Sequence, residues 1–177
     1  MSSLSLRFGR DRRGTASAEM VLMLPLLVVM LFAMFEGGHF LYSQHVVTKA
    51  VRDGARFAGR APFSNFTNCT RYDSGGAVIG GTGAVDPTLE GQVRELTRTG
   101  QLSGGTARLN GWVASDVTVT CAFNSAFTKG VYRTQANGAA TVTVSASVAY
   151  TSLFGVLGGL SGNLNLNASA QAAVMGI

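Results

Sequence analysis

The chain is expected to be α+β: a long N-terminal helix, transmembrane in its first half and amphipathic in its second, packed on an antiparallel β-sheet domain. Three observations lead there. From Met20 to Phe35 runs an apolar stretch without a charge, helical spacing of apolar residues continues beyond it to about Arg60, and three later segments alternate apolar and polar residues with period two. A length of 177 residues suits one anchor and one ordinary domain. The expected division is a basic leader at 1–14, the long helix at 15–60 and an extracytoplasmic α+β domain at 61–177.

The leader MSSLSLRFGRDRR sets Arg7, Arg10, Arg12 and Arg13 against Asp11, and basic residues on one flank hold that flank in the cytoplasm, so the chain should be N-inside. The 16 residues from Met20 to Phe35 reach only ~24 Å of a ~30 Å hydrocarbon core. Residues 15–18 and 37–42 complete the crossing. A secretory signal peptide is the alternative, but AMFEGGHF puts Phe35, Glu36 and His39 where a cleavage site needs small neutral residues. Pro25 removes one backbone bond, so a kink or local melting is expected there. Past the apolar run, Phe40, Val47, Val51, Ala55 and Ala58 share a face, with Lys49, Arg52, Asp53, Arg56 and Arg60 away from it. Pro62 marks the end.

Acidic residues on this helix need a reason. Glu19 sits at the entrance of the apolar run, where a charge is costly and is by default a functional hypothesis. Its plainer role is a favourable interaction with the helix N-terminus. Glu36, near the outer headgroups, can reach His39 at i+3 or stay hydrated, a structural role rather than a subunit contact. The cations Arg52, Arg56 and Arg60 repel one another at i+4, offset by Lys49 to Asp53 and Asp53 to Arg56; a solvated face is expected, with an acidic docking partner as the alternative.

The stretch RRGTASAE before an apolar helix resembles a type IV prepilin signal. With LPLL inside the run, EGG just after it and AVRDGARFA at the helix end, residues 12 to 60 resemble the TadE-like minor pseudopilins of tight-adherence (Tad, or Flp) pilus systems. That resemblance implies a pilin-like arrangement and removal of residues 1–14 by a prepilin peptidase, cutting between Gly14 and Thr15, with Arg10, Arg12 and Arg13 holding the site at the cytoplasmic face. Glu19 then becomes the fifth mature residue, one turn from the new amine on Thr15, and pairs with it or with a neighbour's to set helix register. Implied too are a bacterial inner-membrane location with a periplasmic domain, and as partners the peptidase, membrane lipid, other pilins and pseudopilins and the pilus assembly machinery.

In the exported part, 17 of the 23 glycines follow Ala61, and Asp73 to Val85 (DSGGAVIGGTGAV) is expected to be a flexible loop. DPTLEGQVRELTRTG carries helix punctuation: Asp86 as N-cap, Pro87 at the first position, Leu89, Val93 and Leu96 on one face, Gly100 as stop. In the strands, Val117, Val119, Cys121 and Phe123 face one way, as do Val142, Val144, Ala146, Val148 and Tyr150, and Leu164, Leu166, Ala168, Ala170 and Val174. Thr, Ser, Asn and Gln fill the other faces, which describes a sheet with one wet side and the long helix over the dry one.

Cys69 and Cys121 are the only cysteines, far from any CxxC or histidine partner. Export favours a disulfide between them beside or under the first strand, against two separate buried thiols. The connection TSLFGVLGGLSG is apolar through Leu153, Phe154, Val156, Leu157 and Leu160; it either completes the core, which is the favoured expectation, or forms an exposed patch.

Residues 1–60 carry eight cations against four acids, while residues 61–177 carry six against five. The basic character is therefore that of the leader and helix, which argues against a nucleic-acid partner. His39 and His45 lie on different faces of the helix, no HExxH, GxSxG or Walker A motif is present, and no enzyme activity, cofactor or metal is expected. Asn65, Asn68 and Asn167 head N-x-S/T triplets of no special weight. The rival from another class is an unprocessed single-span envelope protein whose domain binds a ligand or surface; an extracytoplasmic enzyme comes third and needs a pocket with convergent polar groups.

Overall fold

The structure is a computed structural model that describes residues 15–73, 75–155 and 164–176. It is an α+β arrangement, one long helix and a shorter one against an antiparallel sheet. Helix α1 (Thr15–Gly59) has 45 residues and runs unbroken through Pro25. The expected melting does not occur, because one lost backbone bond is a small defect in a helix of this length. By length and composition α1 can cross a membrane. Its first half exposes large side chains on every side, among them Leu22, Met23, Val29, Met34 and Phe35.

The second half of α1 is different. Ser43, Val47, Ala50, Val51, Ala55 and Ala58 are buried at helical spacing, while Lys49, Arg52, Arg56 and Arg60 are exposed. Small residues on the buried face bring the backbone close to the sheet and to the second helix. A Cβ on Gly54 would collide with the Thr97 hydroxyl, and one on Gly59 would meet the Ala173 carbonyl oxygen at 2.9 Å.

Strands β3 (Val117–Asn124), β4 (Ala139–Ala149) and β5 (Asn165–Ala173) form one antiparallel sheet in that order, with Val119 opposite Val144 and Val144 opposite Ala170. Their inward faces, from Val117 through Val142, Val144 and Val148 to Leu166 and Val174, close on α1 in a single core. Phe123 is only partly buried, and Leu164 is exposed because it precedes β5. The Gln44 amide donates to the Asn167 carbonyl at 2.8 Å and the Met175 amide to the Gly59 carbonyl at 2.8 Å, which stitches the helix to β5.

Helix α2 (Pro87–Thr99) begins and ends as its punctuation demands. The Asp86 carboxylate accepts from the Thr88 and Leu89 amides, and Gly100 takes φ 85° at the C-cap. Its buried face is Leu89, Val93 and Thr97, not Leu96. A step of four from Val93 points at Gly54 of α1, where only a small side chain fits.

The segment expected to be a flexible loop is ordered. Strands β1 (Arg71–Tyr72) and β2 (Val78–Gly80) pair antiparallel, and the Asp73 carboxylate accepts from the amides of Gly75 and Ala77 in the turn. Residues on either side of this hairpin seal the outer edge of β3: the Thr70 amide donates to the Cys121 carbonyl at 3.0 Å, and the Cys121 amide to the Gly83 carbonyl at 2.8 Å. A disulfide joins Cys69 and Cys121 at this edge, with Cα atoms 4.8 Å apart. Gly81, at φ 79°, is wedged against the Cys69 carbonyl with no room for a Cβ.

Candidate functional site

The residues singled out for processing fall at the start of α1. Arg10, Arg12, Arg13 and Gly14 lie outside the described residues. Thr15 is the first residue of α1, and Glu19 lies in its second turn. The Glu19 side chain is exposed, and among the described residues it makes no hydrogen bond or ion pair.

At the other end of the same apolar run the reverse holds. Glu36 is only 7% exposed, where hydration or a bond to His39 was expected. Tyr150, the last inward residue after β4, donates its hydroxyl to Glu36 Oε1 at 2.7 Å. The amides of Leu153 and Phe154 donate to Oε2 at 3.1 and 3.2 Å. His39 does not bond Glu36; its Nδ1 lies 3.0 Å from the Tyr150 Oη. Since that hydroxyl gives its hydrogen to Glu36, His39 is the donor and carries its proton on Nδ1. Burial, and then the bonded carboxylate, push the Tyr150 hydroxyl up to about 12. Phe40 packs edge-on against the Tyr150 ring at 5.2 Å, and Phe154 against Phe32 at 4.8 Å.

This junction was not legible in the sequence. Glu36 and Tyr150 are 114 residues apart, and no spacing pattern links them. The one usable signal was Tyr150, a polar-tipped residue at the end of a buried strand face, which needs a partner when buried. The apolar connection after it follows neither expectation cleanly. Leu153 is 56% exposed rather than part of the core, Phe154 is half-buried on α1, and Val156, Leu157 and Leu160 lie outside the described residues.

Farther along α1, Asp53 does not offset the basic stripe as expected. It turns to Arg108, whose Nη1 lies 3.5 Å from Oδ2, and this pair pins the loop after α2 to the helix. Exposed Lys49, Arg52, Arg56 and Arg60 are left as a row of cations.

The wet face of the sheet holds an open cleft of about 680 Å³ between the hairpin and the strands, lined by residues including Thr70, Tyr72, Thr120, Thr143 and Gln171. Its carboxylate, Asp73, is engaged by turn amides, and no histidine reaches it. Among the described residues no group of three or more His, Cys, Asp or Glu side chains could hold a metal.

Residues 14–56 match the family model described as TadE-like protein. The match begins at Gly14 and covers Glu19, Glu36 and nearly all of α1, but none of the sheet. No curated protein and no solved structure matches the chain.

Proposed function

We propose that the chain is a TadE-like minor pseudopilin that serves assembly of a tight-adherence pilus. The carrying observation is the coincidence of the family match at residues 14–56 with an exposed Glu19 that has no partner among the described residues. On this reading residues 1–14 are a cytoplasmic leader, a prepilin peptidase cuts between Gly14 and Thr15, α1 spans the inner membrane and residues 61–177 form a periplasmic domain. Cleavage creates the amine that Glu19 lacks. That amine, on the same chain or on a neighbouring pilin helix, offsets the cost of a carboxylate at the edge of the lipid and fixes how far one helix inserts beside another. Partners follow from the same chemistry: the peptidase, lipid, and pilins or pseudopilins with matching helices. The disulfide at the β3 edge suits an oxidising compartment.

The test is the N-terminus. Intact mass and N-terminal sequencing of membrane-extracted protein, from cells with and without the peptidase, should give a chain starting at Thr15 only when the enzyme is present. A start at Met1 or Ser2 in both would remove the pseudopilin reading and leave the unprocessed envelope protein.

A further inference from the structure

We infer that Leu153 and Phe154, at the start of the β4–β5 connection, are a second membrane contact: a foot that enters the lipid beside α1 and fixes the height of the sheet domain above the bilayer. This rests on the reading that α1 spans a membrane.

The level of the foot follows from its contacts. Phe154 packs on Phe32, which lies inside the apolar run, one helical turn or ~6 Å before Glu36. The charge-free stretch from Met20 to Phe35 has 16 residues, fewer than the ~20 that a hydrocarbon core needs. With Glu19 at the inner edge of the lipid, as proposed above, the span needs Glu36 and the glycines after it, and the described part of the connection lies alongside that last stretch.

The chemistry fits the level. Loop backbone in lipid is tolerated only when its polar groups are satisfied by protein. The amides of Leu153 and Phe154 are bonded to the Glu36 carboxylate, and that carboxylate is buried by the same residues and by Tyr150. The side chains that Leu153 and Phe154 turn outward are apolar. Leu153 is exposed, as are Met34 and Phe35 of the helix, and its neighbour Phe154 packs on Phe32 inside the same apolar run, so exposed apolar side chains of the connection and of the helix belong to one end of the span. Loops facing water are normally polar, yet Leu153 is left 56% exposed. Lipid is the occupant that continuity with the span selects.

The test uses the full, disulfide-bonded chain at one copy per nanodisc of phosphatidylcholine and phosphatidylglycerol, with and without bromine on the acyl chains. Leu153→Trp adds a reporter at an exposed position, and native Trp112, buried in the core, reports on folding. Val131→Trp is the control, because the β3–β4 connection lies at the other end of β4 from Tyr150. The Leu153→Trp reporter should emit at short wavelength and lose that emission in brominated discs, while Val131→Trp and Trp112 do not respond. Water-like, bromine-insensitive emission from Leu153→Trp overturns the inference, and so does short-wavelength emission that bromine leaves unchanged, since protein then covers the site. Protein that fails to stay with the discs overturns the membrane-span reading along with it.

Discussion

Ahead of Glu36, α1 exposes leucine, methionine, valine and phenylalanine on all sides; behind it, one face of the same helix is closed against β4, β5 and α2 while the other carries cations. Two glutamates bracket the apolar half, and they are treated oppositely. Glu36 finds a tyrosine hydroxyl and two backbone amides in its own chain, whereas Glu19 is exposed and finds no partner among the described residues. The comparison separates folding from assembly. A carboxylate satisfied inside the domain belongs to the fold; the one at the edge of the apolar run is, on the proposed reading, reserved for a group from elsewhere. Stability should therefore respond to changes on the domain side of Glu36 and ignore changes on the other.

The largest stability effect is expected at the β3 edge. The Cys69–Cys121 bond closes a sequence separation of 52 residues, and a Cys69→Ser, Cys121→Ser double variant should lose roughly 4 kcal/mol by the chain-entropy relation, read by urea titration. Insertion of α1 into membranes should not change. A double variant as stable as the parent would mean that the sheet needs no staple there.

Next comes the helix contact. Gly54→Val puts a branched side chain where even a Cβ collides with Thr97. Overpacking of this kind costs about 2 kcal/mol, visible as a lower thermal midpoint. An unchanged midpoint would show that α1 and α2 can separate cheaply and that the small-residue face is incidental.

Tyr150→Phe keeps the ring packing and removes the hydroxyl that Glu36 uses, an expected loss of about 1 kcal/mol near neutral pH. Its pH signature is more specific. The folded hydroxyl is raised to about 12 from an ordinary 10.0, so its contribution is complete below pH 10 and declines between 10 and 12, where the unfolded phenol ionises first. The stability difference between parent and Tyr150→Phe should be flat up to pH 9 and shrink above 10. A difference that grows with pH would contradict the bonding described at the junction.

The smallest stability effect belongs to Glu19. Glu19→Gln should leave urea midpoint and membrane insertion within about 0.5 kcal/mol of the parent, as surface changes do, while pilus assembly counted by electron microscopy fails. Normal piliation would remove the register role and erase the asymmetry between the two glutamates.

Much of this was readable without coordinates, and the reason is periodicity. Helix α1 to Gly59, the capped α2 with Asp86 and Gly100, and the three alternating strands each announce themselves through neighbours a few residues apart. The proposed pairing of Gly14 and Glu19 also comes from local spacing, since they lie five residues apart in one short motif. Other features depend on partners the chain brings from far away. Asp53 was assigned to Lys49 and Arg56 by helix spacing, yet Arg108 takes it from 55 residues on. Leu96 was chosen over Thr97 by hydrophobicity, yet the facing residue is Gly54 and only the smaller side chain fits. Residues 75–85 look featureless because part of their order comes from β3, whose edge Gly83 helps to seal.

By itself, then, the sequence determined which segments are helix and strand, which face of each is apolar and where a charge stands in an apolar run, since these are properties of local spacing. Tertiary structure alone decided that Glu36 is buried, that Tyr150 and the amides of Leu153 and Phe154 satisfy it, and that the domain is thereby held against the end of the apolar run. A buried charge must be paired, and which group pairs with it depends on the packing of distant segments, which no local pattern encodes.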